Sequence, residues 1–182
     1  MKKVAGILLF SLFCLYSAGC GREAAWEQGG DVKNAKTVMA AMKADSSEKE
    51  AIVFLTKWVD VCNKGDMDTM RNMIYLSTGE PEKTFMDNLK RISSNLILND
   101  VEIIEDNRTR IVCRAVISSN SDRDNLVVVD FTLAKTSNGT KMSNFKPYKG
   151  EYYQALGKEM QAKAKNRFGT DNLSQLLGYA NA

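Results

Sequence analysis

One absence restricts the acid–base and covalent chemistry open to this chain: the sequence contains no histidine. Histidine is the side chain whose unperturbed pKa lies nearest neutrality, so nucleophile activation in its usual Ser-His-Asp and Cys-His forms is excluded. Zinc sites that use histidine are excluded for the same reason. No spacing of aspartate and glutamate singles out a carboxylate pair. We therefore expect a protein that is not an enzyme and that holds no metal and no cofactor.

The N-terminal segment has the parts of a secretory signal. Lys2 and Lys3 form a short positive region, an apolar run follows over residues 4–16, and the small residues 17–19 stand directly before Cys20. A charged start, an apolar stretch of this length and a small-residue cleavage site are typical of exported chains. The apolar run is too short to cross a bilayer, because a transmembrane helix needs about 20 apolar residues.

The Ser-Ala-Gly-Cys ending of this segment resembles the lipobox of bacterial lipoproteins, with Ser17 where that family usually has leucine. The resemblance implies that residues 1–19 are removed as a lipoprotein signal peptide. Cys20 would then carry the lipid anchor, and residues 20–45 would be the lipidated N-terminus and a tether. Because Gly21 follows the cysteine instead of aspartate, the same resemblance favours the outer membrane, facing the periplasm, in a Gram-negative host. The alternative is an ordinary secretory signal in which Cys20 has no role.

Two further cysteines, Cys62 and Cys113, remain after Cys14 leaves with the signal. An even pair in an oxidising compartment favours a disulfide. Cys62 lies on the apolar stripe of a predicted helix and Cys113 on the apolar face of a predicted strand. The two sulfur atoms would meet if that helix packs on that face. The alternative is two buried free thiols, since cysteine packs well as a small apolar residue.

The charge balance argues against nucleic acid as a partner. The formal net charge is +3, and removal of Lys2 and Lys3 with the signal lowers it by two, to about +1. Nucleic-acid-binding domains carry a clustered basic excess. The lipobox resemblance instead implies the membrane as a partner, through the anchor at Cys20, and another envelope protein is the other expected partner.

Apolar spacing predicts three helices in the first part of the domain. A capping box at Ser47–Glu50 begins the first helix, and its apolar stripe follows over residues 52–62. A second, short helix is expected over residues 67–75. A third is expected over residues 79–95, where a proline falls in the first turn, the place that a helix tolerates it.

After Asn95 the apolar period changes from 3.6 to 2, which predicts strands. The predicted strands are 97–105, 110–118, 126–135 and 140–148. Asn138-Gly139 is a hairpin signal, and a further helix is expected within residues 150–182. The predicted fold class is therefore α+β: three N-terminal helices packed on a curved four-stranded antiparallel sheet over residues 46–149, plus a C-terminal helical extension.

This order of elements resembles the cone-shaped nuclear transport factor 2-like superfamily, and more narrowly its small bacterial lipoproteins of unknown function. The resemblance spans residues 47–148 and is carried by the turn Lys64-Gly65-Asp66 and by the hairpin of Phe131–Lys135 with Asn138–Met142. Those lipoproteins commonly have an aromatic residue where this chain has Met142. Enzymes of the superfamily typically use an aspartate–histidine pair, which this chain lacks.

Two functions remain open at this point. We expect a membrane-anchored envelope lipoprotein that acts as a non-catalytic binding or accessory module for another envelope component. The alternative is a small-molecule-binding lipoprotein that uses the cone interior, since such pockets are mainly apolar with a few polar groups. The candidate lining residues of that interior are Trp58, Phe85, Arg114 and Phe131.

Overall fold

The computed structural model describes residues 44–75 and 95–177, and they form an α+β fold around one open sheet. The sheet has four antiparallel strands in the order β1-β2-β3-β4. In chain order the elements are α1 (Ser46–Lys64), α2 (Met67–Met73), β1 (Leu96–Asp106), β2 (Arg110–Ser119), β3 (Asp122–Thr136), β4 (Gly139–Tyr148), α3 (Glu151–Phe168) and α4 (Leu173–Leu176). The third predicted N-terminal helix lies outside the described residues.

The first helix begins two residues earlier than its capping box predicts. Asp45 is the N-cap, and its Oδ1 accepts a hydrogen bond of 2.8 Å from the backbone N–H of Glu48. Ser47 lies inside the helix, and its hydroxyl donates to Asp106 at the end of β1. Glu50 accepts from the hydroxyl of Thr140 on β4. The predicted capping box is therefore wrong, because both of its side chains bond to the sheet instead.

The sheet has two faces with different coverings. The inner face carries the alternate side chains Ile111, Cys113, Ala115, Ile117, Val129, Phe131 and Leu133, and it forms the main core with α1, α2 and α4. Successive side chains of a strand point to opposite faces, so the residues between them form the outer face. There Val116, Leu126 and Val128 pack against Met160 of α3. The molecule is thus layered as helices, sheet and helix.

Helix α3 approaches the outer face closely at Gly157. A Cβ atom at position 157 would lie 3.1 Å from the Cβ of Leu126, which is tighter than nine in ten real Cβ contacts. Gln154 adds a polar tie, because its side-chain amide bonds both the N–H and the carbonyl of Leu126. Within the described residues, helix α3 covers one end of the outer face and leaves the other end open.

Both edges of the sheet are protected against pairing with another strand. The register of β1 is interrupted twice, between Leu98 and Asp100 and again between Ile103 and Glu105. On β4, the backbone N–H of Tyr75 donates to the carbonyl of Met142 at 2.7 Å, and Pro147 offers no N–H. Bulges, prolines and covering segments are the usual means of blunting an edge strand. No helix within residues 44–75 and 95–177 combines the length and the apolar character needed to cross a bilayer.

Candidate functional site

The open end of the outer face carries a row of alternating charge that crosses all four strands. The strand register places Glu102 opposite Arg114, Arg114 opposite Asp130, and Asp130 opposite Lys146. Opposite charges directly across neighbouring strands stabilise a sheet. The row also sets out a fixed pattern of donors and acceptors on an open surface.

The centre of this row is a bidentate ion pair. Arg114 Nε donates to Asp130 Oδ1 at 2.7 Å, and Arg114 Nη2 donates to Asp130 Oδ2 at 3.0 Å. The side chains are 29% and 18% exposed, so the pair is partly screened from water. The hydrogen bond to Asp130 raises the pKa of Arg114 above its usual value. Two parallel charge-assisted bonds fix orientation as well as adding energy, and Arg114 is therefore held in one position.

Three tyrosines extend the ion pair into an aromatic group. The hydroxyl of Tyr148 donates to Asp130 Oδ2 at 2.9 Å, and its ring stacks on Tyr153 with centroids 4.5 Å apart. Tyr152 meets Tyr153 edge to face and is 72% exposed. The guanidinium of Arg114 and the ammonium of Lys146 lie 5.9 and 5.0 Å from the centroid of the Tyr148 ring.

We call this group the outer-face cluster: Arg114, Asp130, Lys146, Tyr148, Tyr152 and Tyr153. Strands β2, β3 and β4 supply its charged groups, and the first turn of α3 supplies two of its rings. The chemistry it offers is recognition, since it presents a fixed guanidinium, a carboxylate, an ammonium and an exposed ring. No group of three or more histidine, cysteine, aspartate or glutamate side chains in the described part of the chain is placed to hold a metal ion.

The four residues predicted to line one interior are not brought together. Trp58 and Phe131 do meet, edge to face with ring centroids 5.4 Å apart, and both are buried in the inner-face core. Arg114 belongs to the outer face, because it alternates with Cys113 and Ala115 along β2. Phe85 lies outside the described residues, as does the predicted lipidation site Cys20.

The predicted disulfide is not formed in the structure, in which Cys62 and Cys113 are both free thiols. Cys113 is fully buried in the core, and Cys62, near the end of α1, is partly buried and packs against that core. Burial raises the pKa of each thiol to about 12. The arrangement matches the alternative reading of the sequence, in which both cysteines serve as small apolar side chains.

We expect neither thiol to be alkylated in the folded protein at pH 8, because the thiolate is the reactive form and almost none is present that far below the pKa. After unfolding without a reductant, both should be alkylated at once. Peptide mapping by mass spectrometry reads the label at Cys62 and Cys113 separately. A disulfide-linked pair of these peptides would contradict the assignment.

Comparison of the chain with protein-family models, with curated proteins and with solved structures gives no match. The outer-face cluster therefore has to be interpreted from its own geometry. Of its members, only Arg114 was among the residues that the sequence singled out. The pairing of Asp130 with Lys146 is seen only in the strand register of the structure, and no local pattern in the sequence identified the other members.

Proposed function

We propose that this chain is a lipid-anchored lipoprotein of the bacterial envelope whose domain is a non-catalytic binding module for another envelope protein. The outer-face cluster is the surface that binds it. The observation that carries the proposal is the fixed Arg114–Asp130–Tyr148 group beside an exposed tyrosine. The signal sequence before Cys20 supports the address, and the absence of histidine supports a non-catalytic role.

The composition of the cluster favours a protein partner. Tyrosine and arginine are enriched in protein–protein interfaces and dominate their energetic hot spots. The side chains of Arg114, Asp130 and Tyr148 already bond one another. Binding would therefore cost little side-chain entropy, which is the main benefit of preorganisation. Because both sheet edges are protected, the partner would contact the face of the sheet and not extend it.

The finer architecture belongs to the same proposal. A third N-terminal helix over residues 79–95 and a curved, cone-like sheet would complete the nuclear transport factor 2-like arrangement that the sequence resembles. The bulges in β1 and the extra residue Ser143 in β4 support curvature, because a bulge bends its strand and increases the local twist.

A second candidate function is binding of a small molecule between α1 and the inner face. It is favoured by one observation: within the described residues, the buried indole N–H of Trp58 has no hydrogen-bond partner. A buried indole N–H usually has a partner, and a ligand acceptor would supply one. Binding there would shift the fluorescence of Trp58 in a Trp26→Phe background, whereas binding at the outer-face cluster would leave it unchanged.

Site-specific photo-cross-linking in intact cells tests the proposed surface. A photoreactive amino acid replaces Tyr152 in the cluster or, as a matched control, Asp68, which is 94% exposed on α2. We expect one discrete protein adduct from position 152 and none from position 68. Adding Lys146→Glu, which reverses the charge beside Tyr148, should lower the yield at position 152 several-fold. Equal adducts from both positions, or a yield indifferent to Lys146→Glu, would rule out this surface.

A further inference from the structure

The buried polar side chains of this protein concentrate where its C-terminal helices meet strand β1. The buried polar or charged residues in the described part of the chain are Glu48, Thr56, Asn99, Asp100, Ser118, Asn172 and Ser174. Two of them, Asn172 and Ser174, belong to the start of α4. Three more face this place from α1 and β1: Glu48, Asn99 and Asp100. An apolar core would be the ordinary filling for such a contact.

Two hydrogen bonds close this junction. Arg167, in the last turn of α3, donates from Nη2 to Glu48 Oε1 at 2.5 Å. Asn99 donates from Nδ2 to the backbone carbonyl of Asp171 at 2.7 Å. Asn99 has no partner in the strand register, which steps from Leu98 to Asp100. The bulge thus turns an edge-strand amide toward the loop between α3 and α4.

Asp100 is the acidic residue of the junction for which the structure gives no ion pair, whereas Glu48 pairs with Arg167. Asp100 is 2% exposed, and its Oδ1 has no hydrogen-bond partner within the described part of the chain. The backbone N–H of Val101 donates a hydrogen bond to the carboxyl group. The charged groups that face it are Arg167 and Lys163 of α3, Glu48 of α1 and Glu102 of β1. Helix α4 contributes no charged side chain. Because Arg167 already pairs with Glu48, an ionised Asp100 would be a second buried negative charge that shares one guanidinium.

We propose that this junction is a pH-sensitive clasp, in which the C-terminal helices hold the domain tightly while Asp100 is protonated and loosen when it ionises. With Asp100 neutral, the charges of the junction balance, because Glu48 pairs with Arg167 and Glu102 lies near Lys163. Ionisation adds a charge whose loss of hydration outweighs the hydrogen bond from the backbone N–H of Val101 and the attraction of Arg167. Opening of α3 and α4 returns that carboxylate to water. The clasp does not depend on the proposed function.

The direction of the pH effect follows from the pKa of Asp100, which burial raises from 3.8 to about 7. Between these two values the closed form binds more protons than the open form, so opening becomes more favourable as the pH rises. Below about pH 4 and above about pH 7 the dependence disappears. Each pH unit inside the window changes the opening equilibrium by up to about tenfold.

Hydrogen exchange of the full chain in detergent tests the clasp. Peptides within residues 157–177 are compared at pH 5 and pH 8, with exchange times corrected for the intrinsic rates. We expect opening to be at least about tenfold more frequent at pH 8. Peptides of β2 report on the rest of the domain, and their exchange should be the same at pH 5 and pH 8 after the same correction. The same change in β2, or no change in the C-terminal peptides, would overturn the proposal.

Asp100→Asn provides the decisive variant, since the amide has the same shape and stays neutral. It should reduce the difference between pH 5 and pH 8 to less than about twofold, whereas Asp124→Asn, at an exposed acid of β3, should leave it intact. Retention of the difference in Asp100→Asn would disprove the role of this carboxyl. If that variant does not fold, carbon NMR of the unaltered protein still decides, because a midpoint for Asp100 near 4 would overturn the clasp and one near 7 would support it.

Discussion

Phe131→Ala is expected to lower the free energy of unfolding by about 3–5 kcal/mol. Phe131 is 0% exposed at the middle of β3, an interior strand of the sheet. Its ring contacts Trp58 of α1 on one side and Phe145 of β4 on another. Removing the ring leaves a cavity between the helix and the sheet that neither neighbour can fill without moving. Urea unfolding followed by circular dichroism measures the loss.

Phe145→Ala is the matched control for this substitution. Phe145 lies directly opposite Phe131 in the register but is only half-buried on the edge strand. The same chemical change should cost about half as much or less, because part of the ring is already in water. Equal losses at the two positions would show that the contact of Trp58 with Phe131 is not the centre of the core. Because domains are stable by only about 5–15 kcal/mol, Phe131→Leu is the safer variant if Phe131→Ala does not fold.

Local pattern was sufficient to predict the strands and their order. The hairpin at Asn138-Gly139 forms as expected, with Thr136 paired to Gly139. The four strands begin and end close to their predicted residues, except that β3 begins at Asp122. Alternating burial is a property of each strand taken alone, so no long-range information is needed to read it.

The start of the first helix shows where local pattern is insufficient. Asp45 and Ser47 are both good N-cap residues, and the sequence around each fits a helix start. Tertiary contacts determine which of the two residues caps the helix, since Ser47 bonds to Asp106 of β1 and Glu50 to Thr140 of β4. The side chains of Ser47 and Glu50 can form either a capping box or hydrogen bonds to the sheet, and in the structure they form the bonds to the sheet.

The outer-face cluster depends on one extra residue in β4, and no pattern in the sequence predicts that this residue shifts the strand register. Continued without interruption from the hairpin turn, the register would pair Asp130 with Phe145. The extra residue Ser143 shifts the register, so that Thr132 pairs with Asn144 and Asp130 with Lys146. Arg114 was a different case, because its position between Cys113 and Ala115 already placed it opposite the core. The prediction that Arg114 lines the same interior as Trp58 and Phe131 did not take that alternation into account.

The docking of α3 had a signal in the sequence of β3. Residues 126–129 are a continuous apolar run, which is typical of a strand covered on both faces. The structure bears this out, since Val128 packs under α3 while Val129 belongs to the inner-face core. The sequence predicted a helix within residues 150–182 but not which face of the sheet it would cover, because the pattern of one helix carries no information about its partner.

Cys20→Ser is expected to abolish lipid attachment entirely, which makes it the sharpest test of the proposed address. A hydroxyl at position 20 offers no thiol for the diacylglyceryl group. A single acyl chain already gives only reversible membrane binding, at about 0.8 kcal/mol for each buried methylene, and stable anchoring takes two or more. The intact mass of the protein and the incorporation of labelled palmitate measure the loss. The processed protein should carry the lipid mass, and the variant should carry none.

Cys14→Ser is the matched control, because Cys14 is also a cysteine of the N-terminal segment but lies inside the apolar run. This change should leave processing, mass and labelling unaltered, since the proposed cleavage would remove residues 1–19 in either case. Cleavage before residue 20 should also fail in Cys20→Ser, because the signal of a lipoprotein is cut only after its cysteine is modified. A Cys20→Ser chain that is still cut at this place would mean that the segment is an ordinary secretory signal, and the domain would then be free in the compartment to which it is exported.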